Sequence, residues 1–271
     1  MAAEAAQRAA AFFDLDKTLI EGSSAVHFAR AAYRAGMRTR REIAGDLYAN
    51  LKFRFRGSTD EETDALRAAV LGALSGQRVT DLQRLGPTVL AGILPLIYTE
   101  VLEEAWSHID AGRPVYIVTA ASHELAETLA SVLALDGGIG VRSETRNGVY
   151  TGEPDGPFTY REGKVQAIEE LAEAEGFDLS ECFAYSDSES DLPMLRAVGH
   201  PVAVNPDREL DRIARVEGWR IMRFDKLARR MRVAAAVAAL AAIGGGGGYT
   251  VGRLRDSSGR ARRLLRAVRR G

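Results

Sequence analysis

The feature that most constrains the fold is a series of short, unbroken apolar runs, each of which stops at polar residues. The first run is Ala10–Phe13, and similar runs recur at Val115–Val118, Cys182–Tyr185 and Pro201–Val204. Ile221–Phe224 is a further run, interrupted only by Arg223. About four apolar residues without polar alternation are typical of a strand that is buried on both faces. Strands of this kind occur mainly in parallel sheets that helices cover on both sides.

Helical patterns separate these runs along the chain. Ser122–Leu135 and Lys164–Glu175 are examples, each long enough to cross back over a sheet. Strands that alternate with helices of this length indicate parallel βαβ units. The sequence therefore predicts an α/β fold with a doubly wound parallel sheet. Asn147-Gly148, between two alternating segments, also predicts a two-residue β-hairpin turn.

The strand–helix rhythm breaks between Ser23 and Ala111, where no strand is evident. Ser58–Glu61 reads as a capping box that opens a helix in this segment. We predict a helical domain at 23–95, inserted into a catalytic core made of residues 1–22 and 96–225. A tail follows at 226–271. The alternative is that the helices of 23–95 simply lie on the sheet.

Composition indicates the compartment. Cys182 is the only cysteine, so no disulfide forms within the chain and cysteine-rich zinc sites are excluded. The N-terminus, MAAEAAQRAAAFFD, carries a charge and only a short apolar run, which does not fit a signal peptide. We therefore predict a cytoplasmic location.

Polar residues follow several of the predicted strands. The loops at the carboxyl ends of parallel strands gather at one edge of a sheet, where ligands bind. Taken singly, these residues have ordinary explanations, such as a helix cap, a solvated lysine or a polar turn. Two acids that end a buried strand are harder to explain without a partner. The candidate site residues are Asp14, Asp16, Thr119, Lys164, Asp187 and Asp191.

The first acidic segment, Asp14-Leu15-Asp16-Lys17-Thr18, permits two interpretations. In one, Asp14 is the reactive carboxylate and Asp16 assists it. In the other, Asp16-Lys17-Thr18 is the unit, as in the DKTGT string of ion-pumping ATPases. Leu19 stands where that string has glycine, and Asp14 directly follows the buried run, so we favour the first interpretation.

The order of these segments resembles the haloacid dehalogenase (HAD) superfamily of phosphohydrolases. That pattern is DxDxT after the first strand, Ser or Thr after a second, a lysine, and a pair of aspartates after a later strand. Here the corresponding residues are Asp14 with Asp16 and Thr18, then Thr119, Lys164, and Asp187 with Asp191. The helical insert after the first motif resembles the cap of subfamily IB, the phosphoserine-phosphatase-like branch.

The resemblance implies a Mg²⁺-dependent phosphatase that hydrolyses a small phosphomonoester through an aspartyl phosphate. Asp14 would be the nucleophile, and Asp16 would be the general acid and base. Thr119 and Lys164 would bind phosphoryl oxygens. Asp14, the backbone carbonyl of Asp16, and Asp187 would hold Mg²⁺, with Asp191 supporting them.

The sequence departs from the pattern in three places. Thr119-Ala120-Ala121 stands where phosphoserine phosphatases usually have Ser-Gly-Gly, and Ser186–Asp191 replaces a GDGxND string. Those enzymes also carry a glutamate nine positions after the nucleophile, which meets the ammonium group of the substrate. Here that position is Ser23. The departures leave the reaction in place and the substrate undetermined.

Two functions from other classes are alternatives. One is a phosphoacceptor signalling module, and the other is a phosphate-binding protein without efficient turnover. Asp16 argues against both, because neither gains from a group that hastens hydrolysis.

The tail differs from the rest of the chain in charge. From Lys226 onward it holds twelve basic residues and one acid, Asp256, whereas the remainder is acidic. Val233–Val251 is an uncharged run long enough to span a bilayer, but five consecutive glycines weaken it as a helix. Spanning, attachment to an anionic membrane surface through residues 233–271, and disorder are all left as alternatives. No nucleic-acid partner is expected, because aromatic residues are not interleaved with the basic ones.

Overall fold

The computed structural model describes residues 9–37 and 60–224 of the chain. The chain divides into two units, Met1–Arg223 and Phe224–Gly271, and every element named below lies in the first. The capping box at Ser58–Glu61 is only partly inside the described residues, which resume with a helix at Asp60.

The core of the fold is a six-stranded sheet in which every neighbouring pair of strands is parallel. Its strand order is β3-β2-β1-β6-β7-β8, so the first strand lies at the centre. The predicted α/β class with a parallel sheet is therefore confirmed. The strands are β1 (Ala11–Phe13), β2 (Val115–Ser122), β3 (Gly137–Val141), β4 (Ser143–Arg146), β5 (Val149–Pro154), β6 (Phe183–Ser186), β7 (His200–Val204) and β8 (Arg220–Met222).

Helices connect the strands, and three short 3₁₀ turns lie at Leu94–Leu96, Leu179–Glu181 and Glu189–Asp191. The helices of the described residues are α1 (Ser24–Arg34), α2 (Asp60–Leu74), α3 (Val79–Ile93), α4 (Thr99–Asp110), α5 (His123–Val132), α6 (Glu162–Glu175), α7 (Leu192–Ala197) and α8 (Arg208–Glu217).

Strand β3 was not predicted, because its sequence, GGIGV, looks like a loop. Its glycines are explained by packing against α5. A Cβ at Gly138 would lie 2.2 Å from the carbonyl carbon of Ala126, and one at Gly140 would lie 2.7 Å from the backbone nitrogen of His123. Only glycine permits backbones to approach this closely.

The predicted hairpin turn is confirmed at Asn147-Gly148. These residues have φ values of 53° and 76°, and the turn joins the antiparallel strands β4 and β5. Positive φ at both central residues is the requirement of a type I′ turn, which Asn-Gly satisfies. The hairpin also contacts the segment between α2 and α3, because Tyr150 N–H donates to the oxygen of Gln77 and Gly76 N–H donates to that of Tyr150, each at 2.9 Å.

The chain leaves the sheet after β1 and returns to it before α4. The outgoing and returning segments lie side by side. Glu21 N–H donates to the oxygen of Leu96 at 2.8 Å, and Tyr98 N–H donates to that of Leu19 at 2.9 Å. Helices α1, α2 and α3 lie between these crossing points in the sequence. The division into core and cap after residues 22 and 95 stays a prediction.

A buried polar chain lies between α4 and the sheet. Arg113 Nε donates to His108 Nδ1 at 2.8 Å, which leaves the ring proton on Nε2. His108 Nε2 then donates to the Tyr185 hydroxyl at 2.7 Å, and that hydroxyl donates to Glu104 at 2.9 Å. Burial, and next to it the charge of Arg113, lower the pKa of His108 to about 4. His108 is therefore neutral at physiological pH.

Within residues 9–37 and 60–224, no helix combines the length and the apolar character that a membrane crossing requires. The candidate run at Val233–Val251, like the rest of the tail from residue 225 onward, lies outside the described residues.

Candidate active site

The sheet order brings the polar ends of three strands together. β2, β1 and β6 are adjacent and parallel, so the residues that follow them, at their carboxyl ends, share one edge. Asp14 follows β1 directly, Thr119 lies in β2, and Asp187 follows β6. The backbone joins two of these loops as well, because Asp14 N–H donates to the oxygen of Tyr185 at 2.9 Å.

Lys164 occupies the centre of the site. Its Nζ lies 2.6 Å from Asp14 Oδ1 and 2.7 Å from Asp191 Oδ2, and only 3% of the residue is exposed. The buried hydroxyl of Ser186 donates to the same oxygen of Asp191 at 2.7 Å. Three predicted site residues thus form one charge-assisted hydrogen-bonded group, which joins segments that are up to 177 residues apart in the sequence.

A tight loop before α6 places Lys164. A Cβ at Gly163 would lie 1.7 Å from the backbone oxygen of Phe158, so no other residue fits there. Arg161, at the helix start, has a φ of 52°, a conformation that side chains rarely adopt. The buried Thr159 hydroxyl donates to the oxygen of Thr119 at 2.6 Å and ties this loop to β2.

Asp187 lies beside a second lysine. Lys17 Nζ is 3.9 Å from Asp187 Oδ2, and Lys17 has a φ of 63°. Asp207 supports the Asp187 loop from the other side. Its N–H donates to the oxygen of Asp187 at 2.8 Å, and its carboxylate accepts from Glu189 N–H and caps α8.

Asp16 is not part of the Lys164 group. Its Oδ2 accepts from the Ser23 hydroxyl at 2.9 Å, and its Oδ1 accepts from Ser24 N–H at 2.8 Å. Both donors belong to the start of α1, where free N–H groups and the helix dipole favour a carboxylate. The two aspartates of the first motif therefore have different partners and different environments.

Thr119 is buried in β2 and is not a helix cap. Its Oγ1 accepts from Ala121 N–H at 3.1 Å, whereas Ser122 caps α5 by accepting from Leu125 N–H. The start of α5 lies only four residues after Thr119, so helix N–H donors lie close to it along the chain.

Burial dominates the electrostatics of the site. It raises the pKa of Asp14 to about 8, with Lys164 opposing the shift and Asp191 and Asp187 adding to it. Burial also raises the pKa of Asp187 to about 6, against the effect of Lys17. Burial lowers the pKa of Lys164, but Asp14 and Asp191 raise it above its ordinary value. The carboxylates thus exceed the buried positive charge around them.

This surplus fits a divalent cation. In the described part of the chain, no group of three or more His, Cys, Asp or Glu side chains is arranged to hold a metal by itself. Mg²⁺ does not need such a group, because it keeps several waters and is usually bound by one or two carboxylates together with phosphate. Asp14 and Asp187, with a backbone oxygen of the Asp14–Asp16 segment, could supply a donor set of that kind.

Four supporting residues were not assigned a role from the sequence: Ser23, Thr159, Ser186 and Asp207. Asp207 carries a recognisable signal, because an aspartate just before a helical pattern is a preferred N-cap. Ser186 occupies a position where the related pattern has glycine, so its hydroxyl looked like a departure. Thr159 has no local signal, since its partner is 40 residues away.

A family comparison agrees with this geometry. Residues 11–196 match the model of the haloacid dehalogenase-like hydrolases, a range that contains all six predicted site residues. The chain belongs to this family. The predicted superfamily and the predicted class of enzyme, a phosphatase-type hydrolase, are confirmed.

Similar proteins support the same class. Phosphoserine phosphatase SerB1 of Mycobacterium tuberculosis is 41% identical over 241 residues, which cover 88% of this chain and 78% of that protein. Probable phosphatase Rv3661 of the same organism is 38% identical over 243 residues, with coverages of 88% and 84%. The solved structure of a Bordetella pertussis protein of unknown function is 27% identical, with a TM-score of 0.69 and coverages of 80% and 98%.

Proposed function

We propose that the chain is a Mg²⁺-dependent phosphatase that hydrolyses a small phosphomonoester through an aspartyl phosphate on Asp14. The observation that carries the proposal is the separation of the two aspartates. Asp14 lies in a buried group with Lys164 and Asp191, whereas Asp16 is held apart by the first turn of α1. Two carboxylates in different environments can take different roles. Asp14 would attack as a carboxylate once a bound cation offsets the burial that raises its pKa, and Asp16 would carry the proton.

The cation site would be formed by Asp14, Asp187 and the backbone carbonyl of Asp16, with Asp191 behind them. When bound, Mg²⁺ would neutralise phosphoryl charge and orient the phosphate for attack. Asp191 cannot turn freely toward a ligand, because Lys164 and Ser186 both bind its Oδ2. Its role is to hold Lys164 in place beside Asp14.

The phosphate would be bound by donors on three segments. Lys164 supplies an ammonium group, Thr119 a hydroxyl, and the start of α5 backbone N–H groups. Lys164 also reduces the repulsion between the Asp14 carboxylate and the incoming phosphate dianion. Donors of this kind, fixed before the substrate arrives, stabilise the charge that develops during phosphoryl transfer.

In the first half-reaction, an oxygen of Asp14 attacks phosphorus and the bond from phosphorus to the ester oxygen breaks. Asp16 gives its proton to that oxygen, so the leaving group departs as a neutral alcohol. In the second, Asp16 takes a proton from water as the water oxygen attacks phosphorus. The bond from phosphorus to Asp14 then breaks, which releases inorganic phosphate and restores both side chains.

The printed names of the relatives include a phosphoserine phosphatase and a phosphatase without a stated substrate. We propose that the helices of residues 23–95 form a cap that selects the leaving group. We also propose that residues 233–271 contact an anionic membrane surface, a role that concerns location rather than chemistry. The assignment of the cap rests on the sequence pattern and on the family, whereas the assignment of the tail rests on the sequence pattern alone.

The test is hydrolysis of p-nitrophenyl phosphate with Mg²⁺ and with EDTA, followed by mass spectrometry of the trapped phosphoenzyme. Turnover should require the cation, and the phosphate should map to Asp14. Asp14→Asn should abolish both signals, whereas Asp16→Asn should slow turnover by about 10²–10⁴-fold. Asp155→Asn, at an exposed acid beside the hairpin, is the matched control and should behave like the wild type.

Two results would contradict the proposal. Phosphate on Asp16 would assign the nucleophile to the pump-like interpretation of the first motif. A phosphoenzyme that forms and then persists without turnover would favour a phosphoacceptor role instead.

A further inference from the structure

The position of Asp16 defines where the leaving group lies. A general acid must come within about 2.6–3.2 Å of the oxygen that it protonates. Asp16 is anchored to Ser23 and Ser24 at the start of α1. The part of the substrate beyond the ester oxygen must therefore lie beside the first turns of this helix.

Helix α1 presents a polar stripe along this side. Ser23, His27 and Arg30 are spaced at i, i+4 and i+7, so they share one face of the helix. His27 is partly buried, and the charges of Asp16 and Arg30 both act on its ring. The stripe thus begins at the general acid and continues as an imidazole and a guanidinium.

The fold makes room for the His27 ring. Gly92, inside α3, faces it so closely that a Cβ at Gly92 would lie 2.5 Å from His27 Nδ1. Glycine is less favourable than alanine inside a helix. The glycine therefore has a specific packing reason, which is to seat the imidazole between α1 and α3.

The stripe lacks an acid that could receive an ammonium group. Burial lowers the pKa of His27, Arg30 lowers it further, and Asp16 raises it. Asp16, the carboxylate that raises this pKa, is already used by the proposed chemistry as the proton carrier. An ammonium group on the leaving alcohol would face the positive charge of Arg30, whereas a hydroxyl or carboxylate would find donors in Arg30 and in the N–H of the neutral His27 ring.

We propose that His27, with Ser23 and Arg30, contacts the leaving group, and that the enzyme prefers phosphate esters of hydroxy acids or polyols over those of amino alcohols. This inference rests on the proposed phosphatase function. It assigns His27 as a specificity-determining residue, and it predicts discrimination through repulsion of the wrong group as well as attraction of the right one.

The sharpest test uses two substrates that differ at one carbon. 3-Phosphoglycerate carries a hydroxyl where O-phosphoserine carries an ammonium group. We expect kcat/KM to favour 3-phosphoglycerate by about tenfold or more in the wild type. His27→Glu should shift the ratio of the two values by at least about tenfold toward O-phosphoserine, because it supplies the missing carboxylate.

Matched variants make the ratio interpretable. His200→Glu places the same substitution at an exposed histidine of β7 and should leave the ratio unchanged. His27→Ala should move the ratio toward one. This variant serves as the test if His27→Glu does not fold. Glu21→Gln examines the nearest other acid in the loop before α1 and should also leave the ratio unchanged.

The outcomes separate this inference from the proposed function. Absence of Mg²⁺-dependent hydrolysis of p-nitrophenyl phosphate would contradict the phosphatase itself. Hydrolysis of that ester together with a preference for O-phosphoserine, no preference, or turnover of neither probe would overturn only the substrate class. A ratio that responds to Glu21→Gln and not to the His27 variants would overturn the assignment of His27.

Discussion

The surplus of carboxylates in the site predicts that Mg²⁺ binding displaces a proton. Without the cation, burial holds the pKa of Asp14 at about 8 and that of Asp187 at about 6. The two groups share one cluster, so the useful quantity is the number of protons that the cluster holds. Because both pKa values are raised, the cluster holds about one proton near pH 7 and loses it as the pH rises toward 9.

A cation that binds the ionised carboxylates must release this proton. The apparent affinity for Mg²⁺ should therefore rise about tenfold per pH unit near pH 7 and should level off near pH 9. The sign follows from the raised pKa values. The stability that protonated Asp14 contributes is fully present below its unfolded pKa and is lost as pH rises toward 8, so stabilisation by Mg²⁺ should grow over this range.

Isothermal titration calorimetry measures the proton directly, because the heat of Mg²⁺ binding varies with the ionisation enthalpy of the buffer. Two buffers at one pH near 7 should give a release of about one proton. Asp14→Asn should reduce this number to near zero, and Asp155→Asn should not change it. A buffer-independent heat, or an affinity that does not vary with pH, would refute the reasoning.

Three further predictions concern other parts of the chain. Ser23→Ala removes one of the two bonds that hold Asp16, and it should slow turnover of alkyl phosphates by about tenfold more than that of p-nitrophenyl phosphate, whose good leaving group needs less protonation. Equal slowing of both would contradict a positioning role for Ser23. His108 has its pKa lowered to about 4, so the stability from its neutral ring is present above about pH 6.5 and is lost as pH falls toward 4. Urea unfolding of His108→Gln against the wild type should show a difference that shrinks by up to about 3 kcal/mol over this range, and a constant difference would refute the assignment. Truncation after Phe224 should leave turnover within a few-fold while lowering binding to anionic vesicles, and equal binding by both forms would exclude the membrane role.

The central strands could be predicted from the sequence because a strand buried on both faces is a short, unbroken apolar run. β1, β6 and β7 were each found within one residue of their predicted ends. β2 continues past Val118 to Ser122, since its end is set by pairing of Ser122 with Val141 in β3. Because β3 is rich in glycine, the sequence alone indicates neither where β2 ends nor where β3 ends.

The sequence was enough to predict which residues belong to the candidate site, but not which of them contact one another. Parallel topology requires that Asp14, Thr119 and Asp187 meet at one edge, and the order of the motifs supplied Lys164. The sequence could not reveal that Asp191 shares Lys164 with Asp14, or that Ser186 and Thr159 complete the group. Those contacts depend on loop conformations such as the one that requires glycine at position 163.

The opening residues of the first motif show why the local pattern permitted two interpretations. Asp14 and Asp16 are two positions apart, and either could be written as the reactive group. The fold distinguishes them by their partners, because a buried lysine faces Asp14 whereas helix N–H and hydroxyl donors face Asp16. Those donors belong to α1, the first helix of the proposed cap. The orientation of Asp16, the proposed proton carrier, therefore depends on the same helix that carries His27. Under the proposed roles, a displacement of α1 would alter leaving-group contact and proton transfer together. The proposed nucleophile, Asp14, is held instead by Lys164, which lies on α6.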